Sequence, residues 1–156
     1  MKRLLDILRF SIISPEFFVL LVCMILSHYY PNLFGLIGNK LKSNNDMWKF
    51  IPTLPFVFVG VTFKVAQRVH APLENQSNKQ LYEWASFNKI TDRIMASYLI
   101  SIFCAGSSLI IWFFMSELSK IVLGEILLGS IVISGLTAFQ MILAAQKIRQ
   151  IMEQYS

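Results

Sequence analysis

Two long stretches in the second half of the chain contain almost no charged side chains. Residues 94–116 carry no charge over 23 positions, and residues 121–146 carry one, Glu125. A helix needs about 20 apolar residues to cross a hydrocarbon core roughly 30 Å thick. Only a short polar segment at 116–120 separates the two stretches. The pattern therefore predicts two transmembrane helices joined as a hairpin.

A third apolar run lies near the N-terminus. Ser14, Pro15 and Glu16 have the pattern of a helix start, with a capping hydroxyl, a proline in the first turn and an acid at the positive end of the helix dipole. A transmembrane helix is predicted over 15–30, where two tyrosines form an aromatic belt before Pro31.

The fourth apolar run, residues 50–63, is the shortest. Its 14 uncharged residues cover only ~21 Å at 1.5 Å per residue, which is less than the hydrocarbon thickness. Lys64 ends the run, although a lysine can extend its ammonium to the headgroups. Two interpretations stay open: a transmembrane helix over 50–69, or a re-entrant or interfacial segment. We favour the transmembrane helix because it also fits the charge distribution.

The remaining segments are polar. Residues 1–13 combine helically spaced leucines with charges on the other side, which predicts an interfacial amphipathic helix. A cleaved signal peptide is disfavoured because no small-residue cleavage site follows the apolar run. Residues 31–49 are rich in Gly and Asn and predict an external loop. Residues 70–93 and 147–156 are expected to form a cytoplasmic segment and a cytoplasmic tail.

Lysine and arginine are unevenly distributed between the polar segments. Ten of the 14 lie in the N-terminal segment, in residues 64–93 and in the tail, and four lie in 31–49 and the hairpin turn. The positive-inside rule then predicts four transmembrane helices with both termini in the cytoplasm. The net charge of +5 is explained by orientation in a membrane, without nucleic-acid binding. A hydrophobic content of 55% agrees with a multi-pass membrane protein made of one domain.

Both arms of the hairpin are expected to continue as helices into the cytoplasm. No Gly or Pro occurs between Leu73 and Ala105, so the third helix is predicted to begin near Asn78, and the fourth to continue to about Glu153. Apolar residues on the first extension recur at steps of three or four. With a basic residue of the tail, they form the predicted binding surface for a cytosolic protein: Leu81, Trp84, Phe87, Ile90 and Arg149.

Small polar residues recur along the last two transmembrane helices. They are Ser97, Ser101 and Ser108 on the third helix and Ser130 and Ser134 on the fourth. Stripes of small residues let transmembrane helices approach closely, so these serines are expected to pack the hairpin or join subunits of a homo-oligomer. The alternative is that they line a polar path through an oligomer.

Two acids and one amide fall in or near the apolar runs. Glu125 is a candidate proton or cation site, or it snorkels or pairs with Lys120 near the outer interface. Small multidrug-resistance transporters carry a Glu in their first helix, but the first-turn position of Glu16 favours helix capping. Gln140 lies deep in the fourth helix and is expected to hydrogen-bond across helices.

No motif of an enzyme, a metal site or a cofactor site is recognisable. The two histidines, His28 and His70, are predicted on opposite sides of the membrane. Cys23 and Cys104 fall inside apolar runs and are expected to be buried thiols. We therefore expect neither catalysis nor a bound cofactor.

The size and the order of the apolar runs resemble a class of bacterial membrane proteins. The resemblance is carried by the runs Phe17–Leu26, Phe50–Phe63, Ile94–Met115 and Ile121–Ala145, with Leu81-Tyr82-Glu83-Trp84 in the cytoplasmic segment. The chain is similar over its whole length to small four-helix inner-membrane proteins of anti-phage defence systems. A likeness to the KwaA-like component of Kiwa systems implies an oligomeric membrane sensor or scaffold that docks a cytosolic partner. A likeness to RexB-like exclusion proteins implies the alternative, a channel that depolarises the membrane.

Overall fold

A computed structural model describes residues 14–43, 50–73, 79–84 and 87–155. The predicted interfacial helix over 1–13 lies outside the described residues, as do 44–49, 74–78, 85–86 and Ser156. The helices are α1 (Pro15–Tyr29), α2 (Pro31–Lys42), a 3₁₀ turn (Ile51–Thr53), α3 (Leu54–His70), α4 (Lys79–Glu83), α5 (Phe87–Phe114) and α6 (Lys120–Tyr155). The predicted all-α class is confirmed, since no strand occurs in the described ranges.

The predicted hairpin consists of α5 and α6, and each is long and apolar enough to cross a membrane. The bent pair of α1 and α2 adds a third such element if the pair is counted as one span. With 36 residues, α6 is roughly 54 Å long, well beyond a hydrocarbon core of about 30 Å. With 28 residues, α5 is roughly 42 Å long. Both helices are therefore longer than the hydrocarbon core of a bilayer is thick.

Helix α6 lies at the centre of the fold. Helices α1, α2, α3 and α5 all pack against it, and α3 also packs against α5. We call the end where α5 connects to α6 the hairpin end, and the opposite end the tail end. A buried cluster of Leu41, Ile111, Leu123 and Leu127 lies at the hairpin end. A second cluster, at the tail end, consists of Ala66, Val69, Ile94 and Met141.

The outer surface of the bundle is apolar while much of its interior is small and polar. Phe103 and Phe113 on α5 are 69% and 76% exposed, and Phe18 on α1 is 68% exposed. By contrast, serines and threonines of α3, α5 and α6 are fully or nearly buried. A hydrocarbon solvent favours this arrangement, because apolar side chains face lipid and small residues allow close helix packing.

A sharp bend separates α1 from α2. The two helix axes meet at 96°. Tyr30 between them has φ −124° and ψ 55°, outside the helical region, and Pro31 begins α2. A proline disfavours the helical conformation of the residue before it, so the sequence Tyr30-Pro31 ends α1. The structure therefore has a helix where one is predicted over 15–30, ending at Tyr29, and its crossing of a membrane stays a prediction.

The prediction of a loop over 31–49 is wrong for residues 31–42, which form α2. The glycines taken as turn signals instead bring α2 close to α6. A Cβ added to Gly38 would lie 2.8 Å from Lys120 Cα, and one added to Gly124 would lie 3.1 Å from Phe34 Cα. We call the pair Gly38 and Gly124 the glycine crossing. The tertiary contact, which is invisible in the local pattern, explains why these glycines lie in a helix.

A side chain of α2 also covers the hairpin turn. Lys42 Nζ donates a hydrogen bond of 2.7 Å to the carbonyl oxygen of Leu118. Leu118 lies in the short connection between α5 and α6. The cation therefore gives a hydrogen-bond partner to a backbone carbonyl that lies outside both helices.

The prediction of an unbroken rod starting near Asn78 is also wrong. Helix α4 ends at Glu83, Trp84 is not helical, and α5 begins at Phe87. Tyr82 Oη donates a hydrogen bond of 3.1 Å to the His70 carbonyl oxygen, and the Tyr82 ring lies 5.3 Å from that of Phe87. These contacts fold α4 back against the end of α3, which a straight helix would prevent. The sequence contains no Gly or Pro that signals this break.

Candidate functional site: a buried ion pair that joins three helices

An ion pair connects α1, α5 and α6 near the tail end of the bundle. Arg93 Nη2 donates to both carboxylate oxygens of Glu16, at 2.9 and 3.0 Å. The same nitrogen lies 3.1 Å from Gln140 Oε1, which accepts a further hydrogen bond. One side chain comes from each helix, and we call them the Glu16–Arg93–Gln140 cluster. The predicted hydrogen bond of Gln140 across helices is thereby confirmed.

The start of α1 positions the carboxylate. Ser14 is the N-cap, and its Oγ accepts a hydrogen bond of 3.2 Å from the Phe17 backbone N–H, as the sequence predicts. Glu16 then occupies the first turn, where the helix dipole favours a negative charge. Its side chain points into the bundle rather than toward solvent and is 1% exposed. The predicted first-turn position is confirmed, and the side chain also makes a long-range contact that capping alone does not require.

The two side chains of this ion pair differ in how deeply they are buried. Glu16 is almost fully enclosed, whereas the Arg93 side chain is 29% exposed. A carboxylate removed from water loses several kcal/mol of hydration, and a hydrogen-bonded arginine offsets much of that cost. The pair is therefore a weak source of net stability while it is intact. Loss of the arginine alone would leave a buried charge without its partner.

The cluster is the main specific attachment of α1. Glu16 is the one buried residue of that helix, and α1 packs chiefly against α6 and its own continuation α2. At the far end, α2 is held by the glycine crossing. Helices α1 and α2 thus form a strap along α6 that is fixed at both ends. A change in the ion pair would release the strap at the tail end.

The predicted stripe of serines lies inside the single chain. Ser97, Ser101, Ser108, Ser130 and Ser134 are all buried. Several donate to a carbonyl of their own helix, as Ser134 Oγ does to the Ser130 oxygen at 2.6 Å. Their burial agrees with a packing role for the hairpin. Their role in a pore stays a prediction.

Two hydroxyls inside the bundle have no hydrogen-bond partner among the described residues. They are Ser101 Oγ on α5 and Thr62 Oγ1 on α3. Both side chains are fully enclosed. An unpartnered buried hydroxyl is costly, so helix packing alone does not account for these two groups.

The predicted partner-binding residues divide into two sets. Leu81 is buried, Ile90 packs against the tail-end cluster, and the Phe87 ring lies 5.9 Å from that of His70. These three side chains are therefore used largely within the fold. Trp84 is 48% exposed, and Arg149 is exposed and forms an ion pair of 2.7 Å with Glu153 on its own helix. Trp84 and Arg149 stay accessible to another protein.

Glu125 lies near the hairpin end and is half-buried. Within the described part of the chain no ion pair joins it to Lys120, so the predicted pairing is not observed. The same ranges contain no group of three His, Cys, Asp or Glu side chains that could hold a metal ion.

Sequence reasoning missed Arg93 as a site residue. Glu16 and Gln140 stand out as polar groups in apolar surroundings, but Arg93 reads as one of several charges flanking a transmembrane helix. The sequence nevertheless contained a signal for the pairing of Arg93 with Glu16. The topology predicted from the sequence puts residue 16 and the residue before the run at 94 on the same side of the membrane, where opposite charges can pair.

Comparison with known proteins adds no identification. No protein-family model matches the chain, and neither a curated protein nor a solved structure is found to be similar to it.

Proposed function

We propose that this chain is a multi-pass scaffold or sensor of the bacterial inner membrane that acts as a homo-oligomer and recruits or regulates a cytosolic protein. In this proposal α1, α3, α5 and α6 cross the bilayer, and the tail end faces the cytoplasm. A role in anti-phage defence rests on the resemblance in size and topology. Gly106, whose Cβ position is open, offers a second copy a close approach to α5.

Four transmembrane segments are supported by the fact that two further segments reach both the tail end and the hairpin end of the bundle. The 3₁₀ turn before α3 contributes Ile51 to the hairpin-end cluster, and α3 contributes Val69 to the tail-end cluster. The α1–α2 strap runs from Glu16 at the tail end to Gly38 at the hairpin end. Both segments therefore extend between the same two levels as α5 and α6. If the hairpin crosses a bilayer, this arrangement favours a crossing by the α1–α2 strap and by the segment 51–70 as well.

The orientation is supported by the basic residues at each end. Lys64, Arg68, Lys89, Arg93, Lys147 and Arg149 belong to the half of the bundle toward the tail end, and Lys40, Lys42 and Lys120 belong to the hairpin end. We expect a reporter that fluoresces only in the cytoplasm to be active when it is fused after Ser156, and a phosphatase that is active only after export to be active when it is inserted at Ser116. The reverse pattern would contradict the orientation, while fluorescence of the cytoplasmic reporter at both positions would contradict a spanning hairpin.

The exposed position of Trp84 is the observation that supports the scaffold proposal. It is 48% exposed, and it lies in the connection between α4 and α5, next to the exposed Glu83. Tryptophan contributes strongly to protein interfaces because it buries a large area and keeps a hydrogen-bond donor. The strap suggests how sensing is coupled to docking, since Arg93 joins α1 to the helix that begins beside Trp84.

A photo-crosslinking amino acid at position 84 tests the partner in intact cells. We expect it to crosslink one cytosolic protein reproducibly, and we expect Trp84→Ala to abolish co-purification of that protein while the membrane protein stays folded. The same amino acid at Phe18, which is 68% exposed on the apolar face of α1, is the control and should crosslink no cytosolic protein. Crosslinks from position 84 to lipid alone would contradict the scaffold.

The second candidate function is an ion-conducting pore. It is favoured by one observation, the unpartnered hydroxyls of Ser101 and Thr62 inside the bundle. The two functions are separated by reconstitution of the purified protein in liposomes. Ion flux without any partner, lost on Ser134→Leu, would support the pore and contradict the scaffold.

A further inference from the structure

The outward face of α3 is apolar toward the hairpin end and positively charged toward the tail end. Phe56, Val57, Gly60 and Phe63 are exposed on the half toward the hairpin end. Lys64 and Arg68 are exposed on the same helix toward the tail end. The apolar part matches acyl chains and the cationic part matches headgroups.

The two cations lie next to each other. Lys64 and Arg68 are four residues apart, so their Cβ atoms are about 6 Å apart on one side of the helix. Neither takes part in an ion pair within the described ranges. Two other cations of the chain differ in having partners, since Lys42 bonds the Leu118 carbonyl and Arg93 bonds Glu16.

The backbone beneath these side chains is held in place. Tyr98 Oη donates a hydrogen bond of 3.3 Å to the Phe63 carbonyl oxygen, and the two rings lie 5.8 Å apart. On the outward side, a Cβ added to Gly60 would meet no atom within 4 Å. A shallow open strip therefore runs along a fixed helix toward Lys64.

We propose that this face of α3 binds an anionic phospholipid. Lys64 and Arg68 hold its phosphate, and one acyl chain lies along Phe63 and Val57 across the open position at Gly60. The arginine provides two parallel N–H donors to phosphate oxygens, and the lysine adds a second positive charge. This inference rests on the proposed four-span arrangement, because α3 must lie in the bilayer.

Lipid titration of the purified protein in zwitterionic detergent tests the site. Phosphatidylglycerol is added, phosphatidylcholine is the neutral comparison, and bound lipid is counted by native mass spectrometry. We expect selective binding of phosphatidylglycerol, and a fall in the association constant of roughly 30-fold in Lys64→Gln/Arg68→Gln, which corresponds to ~2 kcal/mol at about 1 kcal/mol per cation. Each single substitution should lower the association constant about fivefold.

A matched double variant separates a site from general surface charge. Lys89→Gln/Lys147→Gln removes two exposed cations from the same end of the bundle, and we expect it to change the association constant less than twofold. Equal losses in the two double variants would overturn the proposal, as would equal binding of the two lipids by the unaltered protein.

A spin label at Val57→Cys, in a background where Cys23 and Cys104 are replaced by Ala, distinguishes failure of the site from failure of the topology. Access to oxygen but not to a water-soluble relaxant would support the bilayer position of α3. If the label has that access and lipid selectivity is absent, only the lipid site is overturned. A water-accessible label would overturn the four-span arrangement and the lipid site together.

Discussion

Arg93→Met is expected to lower the free energy of unfolding by roughly 3–5 kcal/mol, because it leaves a buried carboxylate without its cation. Glu16 is 1% exposed and accepts two hydrogen bonds from Arg93. Methionine keeps much of the volume of the arginine stem, so the loss reports the charge rather than a cavity. Reversible unfolding in mixed detergent micelles measures the change.

Two further variants test whether the unpaired buried charge causes this loss of stability. Glu16→Gln in the Arg93→Met background is expected to recover a large part of the loss, since it removes the buried charge. Arg149→Met is the control, because Arg149 and Glu153 form an exposed pair one turn apart on α6, and such pairs contribute about 0–1 kcal/mol. Equal losses in Arg93→Met and Arg149→Met would contradict a special role for the buried pair.

Gly38→Ala and Gly124→Ala are each expected to destabilise the protein by roughly 3 kcal/mol, at the upper end of the cost of overpacking. The added Cβ would meet backbone atoms of Lys120 or of Phe34. A helical backbone cannot move aside as the end of a side chain can, so α2 must separate from α6. The same unfolding measurement applies.

A third glycine-to-alanine substitution is expected to have the opposite effect on stability. Gly129 also lies in α6, but a Cβ there would meet nothing within 4 Å, so Gly129→Ala is expected to stabilise the protein by up to about 1 kcal/mol through helix propensity. A cysteine at Leu41, which is 1% exposed, should react with maleimide in the Gly38→Ala background and stay protected in Gly129→Ala. Protection in both would contradict displacement of α2.

Sequence patterns predicted correctly the features that neighbouring residues decide. The start of α1 follows from a capping serine, a proline and an acid, and its end follows from Pro31. The hairpin follows from the length of two apolar runs that together contain one charged residue. In each case neighbouring residues decide the conformation, so the pattern can be interpreted without a fold.

Signals that depend on a partner helix were misread. Gly38 indicates a turn by composition but packs against the backbone of α6. Leu81, Trp84 and Ile90 share a helical spacing, yet Leu81 and Ile90 are used inside the fold while Trp84 is exposed. The break after Glu83 depends on contacts of Tyr82 with His70 and Phe87, and no residue near the break predicts it.

The sequence by itself determined the helical class, the apolar segments and the charge difference between the polar ends, because hydrophobicity, capping and charge are properties of short stretches. Only the tertiary structure decided that Arg93 pairs with Glu16, 77 positions away, and with Gln140, 47 positions away. It also decided that Gly38 meets the start of α6. Such pairings depend on the register and crossing of helices, which the spacing within any one helix does not encode.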